Sequence, residues 1–135
     1  MASIHVERLV DAPADQVWDA IRDVGALHTR LVPGFVTDTR LEGGARLVTF
    51  ASGMVARELL VDLDDTRRRF AYSVRADSFT HHSATNEVFE AGPGRSRFVW
   101  TADVLPNEMA ALVGGMMEQG ADALKATLER GHAPA

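Results

Sequence analysis

Two polar side chains interrupt an otherwise strand-like stretch of the sequence, residues 81–90. Successive strand residues point to opposite faces of a sheet, so His82 and Asn86 share a face with Val88. If Val88 faces the core, an imidazole and a carboxamide face an apolar interior together. Such groups bind the oxygen atoms of ligands, and an imidazole also moves protons. The alternative is that His82 lies at the strand rim and that Asn86 bonds only structure or water.

Two neighbouring strands add aromatic side chains to the same face. Alternation places Tyr72 and Trp100 inward, together with Phe70 and Phe98. A buried tyrosine hydroxyl needs a hydrogen-bond partner. The sequence therefore predicts a polar cluster in an aromatic wall, formed by Tyr72, His82 and Asn86.

A hairpin brings a second pair of polar side chains together. If Phe50 faces inward, Arg46 does too, and a turn at residues 51–53 sets Arg46 opposite Glu58. Buried charges persist only when they are paired, and the arginine fork suits a ligand carbonyl, hydroxyl or carboxylate. The opposite phase, with the ion pair outside, is favoured by an apolar series on the second strand, Leu59, Val61 and Leu63.

The N-terminal pattern predicts a strand followed by a helix. Residues 3–10 alternate as a strand. We expect Asp11 to cap the helix, with Pro13 and Asp15 in its first turn. Trp18 belongs to the apolar stripe of this helix and is predicted to be core rather than site.

The rest of the chain predicts a sheet and a long helix. A short helix over residues 25–31 precedes six strands separated by turn residues, at 35–41, 45–51, 54–63, 69–75, 81–90 and 97–104. After Pro106 an apolar helical period predicts one long helix, and residues 131–135 are expected to form a disordered tail. The predicted class is α+β, as a single domain over residues 1–135 with the order β-α-α-β6-α.

Composition limits the classes of function. A net charge of −5 argues against nucleic acid as a partner, and the absence of cysteine excludes disulfides, thiolate metal sites and cysteine nucleophiles. No window is apolar enough to span a membrane and no secretion signal begins the chain, so a cytoplasmic protein is expected. Because the glycine pairs do not open helices and the acidic residues lack ligand spacing, we predict no metal and no cofactor.

Several phrases, taken with the predicted element order, are similar to those of a known family. They are DAPADQVWDAIRD leading to LVPGF, then ARLVTFASGMVARELLVDLDD, RRRFAYSV and SRFVWTADVLP. The chain resembles the START/Bet v 1-like helix-grip (SRPBCC) superfamily, in its polyketide cyclase/dehydrase-like bacterial branch. The resemblance covers nearly the whole chain and implies a curved antiparallel sheet wrapped around the C-terminal helix, with a cavity between them. Many relatives carry an aromatic residue before Pro-Gly, where Leu31 and Val32 stand here.

The resemblance also implies which residues border the cavity. It makes the pairing of Arg46 with Glu58 more credible and places His28 and Arg30 near the entrance, although surface solvation is the simpler interpretation of those two. The residues predicted to contact a ligand are Arg46, Val48, Phe50, Glu58, Phe70, Tyr72, His82, Asn86, Phe98, Trp100, Met116 and Met117. At helical spacing, the two methionines fill a core more often than they form a binding surface.

Three functional hypotheses stay open, because members of the superfamily share a shape but not a function. The first is binding of a small hydrophobic, aromatic or polyketide-like molecule. The second is catalysis of cyclisation, dehydration or isomerisation, in which Tyr72 or His82 polarises a carbonyl and Glu58 or His82 moves a proton. The third is a partner-binding module of the chaperone-activator kind. Small relatives often pair, so a homodimer is compatible with the resemblance.

Overall fold

The computed structural model describes residues 1–132 as a strand, short helical segments, six further strands and a long helix. The strands are β1 (Ala2–Val10), β2 (Val36–Glu42), β3 (Ala45–Phe50), β4 (Val55–Asp64), β5 (Arg69–Arg75), β6 (His81–Glu90) and β7 (Ser96–Leu105). The helices are α1 (Ala14–Arg22) and α2 (Ala110–His132), with 3₁₀ turns at Val24–Ala26 and Asn107–Met109 and a π-helical turn at Leu27–Leu31. The predicted α+β order is confirmed.

All seven strands form one antiparallel sheet in the order β1-β7-β6-β5-β4-β3-β2. Strands β2 to β7 form a meander, and β1 pairs with β7 at the far edge. The sheet curves around α2, which is the helix-grip fold that the sequence predicts. Over the described residues, no helix is both long and apolar enough to cross a membrane.

Ionic contacts fasten α2 to the edge strand β1. The guanidinium of Arg8 donates to Asp122 at 2.9 Å and to Glu118 at 2.5 Å. Lys125 Nζ donates to the backbone carbonyl of Leu9 at 2.7 Å. These contacts hold the apolar side of α2 against the concave face of the sheet, where Leu124 is buried.

A β-bulge decides which residues of β4 face inward. Pairing with β5 shifts between Leu60 and Asp62, so Val61 is an extra residue on β4. Glu58 is buried before the bulge, Val61 is 63% exposed, and Leu63 packs against the core beyond it. The apolar series that favoured the opposite phase therefore belongs to a strand that changes face part-way along.

Two local predictions are wrong. Asp11 does not cap α1, because Pro13 occupies the N-cap position and the Asp11 carboxylate instead accepts a hydrogen bond from Arg95 at 3.0 Å. The predicted disordered tail is wrong for residues 131 and 132. Helix α2 includes Gly131 and ends at His132, and residues 133–135 lie outside the described part of the chain.

Gly120 allows two aromatic rings to pack against α2. A Cβ atom at Gly120 would lie 3.0 Å from Trp100 Cζ3 and 3.2 Å from Phe35 Cε2, whereas one at Gly115 would meet open space. We expect Gly120→Ala to lower the free energy of unfolding by about 1–3 kcal/mol through overpacking. Gly115→Ala should raise it by up to about 1 kcal/mol through helix propensity. Urea denaturation measures both, and equal stabilisation by the two substitutions would contradict the close packing.

Candidate functional site

A cavity of about 180 Å³ lies between the concave face of the sheet, α2 and the π-helical turn Leu27–Leu31. The predicted apolar residues that line it are Val48, Phe50, Phe98, Trp100, Met116 and Met117. The predicted polar residues that line it, each at most 8% exposed, are Arg46, Glu58, Tyr72, His82 and Asn86. The structure thus brings into one wall the polar cluster and the ion pair that the sequence shows as separate features.

Phe70 is the one predicted contact residue that does not line the cavity. Its side chain is 1% exposed and stacks on Tyr72 with ring centroids 5.5 Å apart. The guanidinium carbon of Arg46 lies 5.1 Å from the Phe70 ring centroid. Phe70 therefore lies behind the polar groups, because Tyr72 and Arg46 cover it.

The mouth of the cavity is formed by residues that strand parity did not identify. Met54 and Val55 at the β3–β4 turn, Phe79 before β6, and Leu112 on α2 all line it. Val55 is 59% and Leu112 56% exposed. Each is a single apolar residue near the end of an element, so only the three-dimensional structure shows that they meet.

The pair of Arg46 and Glu58 lies inside the sheet wall. The two residues oppose each other in the β3–β4 register, and Arg46 Nε donates to Glu58 Oε1 at 2.8 Å. Arg46 Nη1 donates to the Val24 carbonyl at 3.2 Å. Within residues 1–132, Arg46 Nη2 and Glu58 Oε2 have no hydrogen bond, so each is available to a ligand.

Tyr72 presents a hydroxyl proton to the cavity. Its oxygen accepts a hydrogen bond from Trp100 Nε1 at 3.0 Å. Burial raises the pKa of Tyr72 above its usual range, and the nearby charge of Glu58 raises it further. The hydroxyl therefore stays protonated, and it donates no hydrogen bond to any of the described residues.

His82 closes a gap between two strands. Backbone pairing of β5 with β6 ends at Tyr72 and Ala84. Beyond it, the Val74 N–H donates to His82 Nδ1 at 3.0 Å, and Ser73 Oγ donates to the His82 carbonyl at 2.5 Å. Side-chain hydrogen bonds thus replace the missing part of the ladder.

The same contacts define the protonation of His82. Because Nδ1 accepts the Val74 N–H, the proton of the neutral ring is assigned to Nε2. Burial lowers the pKa of His82 to about 4, and His81 adds to the effect. At neutral pH the ring is uncharged and offers Nε2–H as a donor. The predicted role of His82 as a base does not fit this arrangement, whereas the role of polarising a carbonyl does.

Asn86 is the third buried polar group of the wall. It is 7% exposed and lines the cavity. No hydrogen bond joins its carboxamide to another described residue, so both its donor and its acceptor are available.

The two residues expected near the entrance lie elsewhere. Arg30 donates to Asp19 at 2.6 Å and to Asp23 at 3.0 Å on the surface, and neither Arg30 nor His28 lines the cavity. His28 Nδ1 is buried without a hydrogen-bond partner in the described part of the chain. The simpler interpretation of Arg30, as a surface residue, agrees with its position.

The sequence matches, over residues 1–129, the model of a family described as polyketide cyclase / dehydrase and lipid transport. The chain belongs to this family. None of the curated proteins compared with the chain matches its sequence.

Solved structures show the same START/Bet v 1-like fold. XoxI from Bacillus cereus is 24% identical, with a TM-score of 0.84 over 98% of this chain and 100% of that one. Norcoclaurine synthase from Thalictrum flavum, in complex with a transition state analogue, is 23% identical, with a TM-score of 0.71 over 98% and 96%. The di-domain ARO/CYC BexL from the BE-7585A biosynthetic pathway is 18% identical, with a TM-score of 0.84 over 99% of this chain and 48% of BexL.

The cavity of this polyketide cyclase/dehydrase family member combines donors with one carboxylate. Tyr72 and His82 each offer a hydrogen to a ligand oxygen, and Glu58 offers an acceptor. No three histidine, aspartate or glutamate side chains of residues 1–132 are grouped so as to hold a metal ion. The arrangement is suited to binding and polarising a carbonyl group.

His82 should make the stability of the protein sensitive to acid. In the unfolded chain histidine has its ordinary pKa of 6.5, but the buried ring has a pKa of about 4, so between these values only the unfolded state takes up a proton. The contribution of neutral His82 to the free energy of unfolding is therefore complete above pH 6.5. It falls by about 3 kcal/mol as the pH drops to 4.

His82→Asn keeps an acceptor near Nδ1 and does not titrate. Between pH 7 and pH 4 its free energy of unfolding should fall by about 3 kcal/mol less than that of the wild-type protein. Urea denaturation at both pH values measures the difference. The same acid sensitivity in both proteins would contradict a neutral, buried His82.

Proposed function

We propose that this protein binds a small, mostly apolar molecule with a few oxygen atoms inside the cavity. The observation that carries the proposal is a set of buried polar groups with unused hydrogen-bonding capacity in an apolar enclosure: Tyr72, His82 and Asn86. An unsatisfied buried polar group costs about 1–3 kcal/mol. A ligand that supplies the missing partners gains affinity there, and the apolar wall adds the burial of its hydrocarbon part.

Aromatic rings in the wall favour an aromatic or polyketide-like ligand. Phe98 and Trp100 meet edge-to-face with centroids 6.1 Å apart, and Phe35 meets Phe50 in the same manner at 5.4 Å. Flat ligand rings pack well against such surfaces. The family description and the likeness to BexL support the same class of ligand by analogy.

Methyl 2-naphthoate, a neutral aromatic ester, is a suitable probe. At a hundredfold excess over its Kd it should raise the free energy of unfolding by about 2.7 kcal/mol, as measured by urea denaturation. Val113→Trp places an indole at a lining position and should abolish this stabilisation, whereas Ala111→Trp, at an exposed position outside the lining, should keep it. The proposal fails if the probe does not stabilise the wild-type protein and mass spectrometry detects no co-purified small molecule.

A cyclase or dehydratase activity is a second candidate, supported by the carboxylate of Glu58 in a wall that also carries Tyr72 and His82. In such a reaction Glu58 removes a proton from the carbon next to a carbonyl that the two donors polarise. The enolate carbon then bonds to a second carbonyl carbon, and the new alkoxide takes the proton back from Glu58. General acid–base steps of this kind contribute about 10²–10⁴-fold to a rate.

Glu58→Gln tests that candidate with a synthetic poly-β-ketone thioester as substrate. We expect the rate of cyclisation to fall by about 10²-fold or more while methyl 2-naphthoate still binds. Glu42→Gln is the matched control, because Glu42 pairs with Arg57 on the surface and does not line the cavity. An unchanged rate in a folded Glu58→Gln protein would exclude Glu58 as the base.

A further inference from the structure

The charges in the cavity wall cancel each other. Apart from His82, the only acidic or basic side chains among the described residues that line the cavity are Arg46 and Glu58, and a hydrogen bond of 2.8 Å joins them. His82 is uncharged there, because burial lowers its pKa to about 4. The cavity therefore offers polar groups without a net charge.

We infer that the ligand is neutral, that its polar group is a carbonyl oxygen, and that the cavity rejects free carboxylates. This inference rests on the proposed binding function and adds the class of ligand. It narrows what the sequence left open, since an arginine in a cavity suits a carboxylate as well as a carbonyl.

The contacts of Arg46 explain why an anion is excluded. Its Nε donates to Glu58, its Nη1 donates to the carbonyl of Val24, and its guanidinium lies over the ring of Phe70. A ligand carboxylate would place a second negative charge beside one that already neutralises the arginine. An uncompensated ion in a buried site costs several kcal/mol, whereas a neutral ester or ketone does not incur that cost.

The positions of the donors explain the preference for a carbonyl. The rings of Tyr72 and His82 have centroids 5.9 Å apart. The Tyr72 oxygen already accepts the Trp100 N–H, and His82 Nδ1 already accepts the Val74 N–H, so each side chain has a hydrogen left to donate. A carbonyl oxygen has two lone pairs and can accept from both.

A matched pair of probes tests the inference on the unmodified protein. Methyl 2-naphthoate and 2-naphthoate differ only in the charge of one group. Calorimetry at pH 7 should show the ester binding at least about a hundredfold more tightly. Above the pKa of the free acid, the apparent affinity for 2-naphthoic acid should rise about tenfold for each pH unit lowered, because only its neutral form binds. The affinity for the ester should stay level.

A change of charge in the wall should reverse part of this selectivity. Glu58→Gln leaves Arg46 without its counter-charge, so the affinity for 2-naphthoate should rise by about tenfold or more, and the preference for the ester over 2-naphthoate should shrink. Glu42→Gln removes a surface carboxylate and should alter neither affinity.

The outcomes separate the inference from the function on which it rests. Binding of 2-naphthoate to the wild-type protein as tightly as the ester, or an affinity for the acid that does not vary with pH, overturns the inference and leaves the binding function intact. Binding of neither compound overturns the inference, and together with the absence of a co-purified small molecule it overturns the proposed function as well. The pH series needs no variant, so the test holds even if Glu58→Gln does not fold.

Discussion

The ion pair of Arg46 and Glu58 is the interaction on which the polar side of the cavity depends. Transfer of two charges out of water costs several kcal/mol per ion, and their attraction offsets this only with good geometry and further hydrogen bonds. Here the guanidinium has a carboxylate at 2.8 Å, the Val24 carbonyl at 3.2 Å and the aromatic rings of Phe70 and Tyr72. The contacts of the guanidinium thus join β3, β4 and the 3₁₀ turn before β2. Removal of either partner would leave the charge of the other buried and uncompensated.

Two further polar groups of the wall, Tyr72 and His82, each use part of their hydrogen-bonding capacity within the protein. Tyr72 receives a hydrogen bond from Trp100 and His82 receives one from Val74, so each is held in place by a neighbour and keeps one donor unused. A side chain whose hydrogen-bonding groups were all used within the protein could not bind a ligand through them. A side chain without any hydrogen bond could rotate. One structural hydrogen bond for each group therefore orients the donor that remains, at a cost that a bound ligand can remove.

The sequence predicts those parts of the site that depend on strand alternation within regular pairing. Strands β6 and β7 pair without interruption, so the parity that starts from Val88 places His82, Asn86 and Trp100 on the inward face. Alternation cannot reveal a bulge. Because Val61 is an extra residue on β4, alternation counted from Glu58 assigns Leu63 to the wrong face of the sheet.

Other features depend on which neighbour covers a residue. Phe70 has the correct parity but lies beneath Arg46 and Tyr72, and period-2 reasoning cannot distinguish the first layer of a wall from the second. The replacement of the β5–β6 ladder by hydrogen bonds to His82 likewise depends on where two strands separate. No local pattern in the chain predicts where β5 and β6 separate. The tautomer of His82 depends on that separation, because the unpaired Val74 N–H donates to Nδ1.

The same geometry restricts the chemistry that this cavity is able to catalyse. Burial raises the pKa of Tyr72, so it donates a hydrogen bond but gives up its proton reluctantly, and His82 has its only lone pair engaged by Val74. Glu58 is the single carboxylate among the described residues of the wall. A group that removes a proton must then also return it, which suits isomerisation or carbonyl addition, in which one proton leaves and comes back. Reactions that need a separate acid and base acting at once require a second carboxylate or an imidazole with a free lone pair, and the described residues of this wall contain neither.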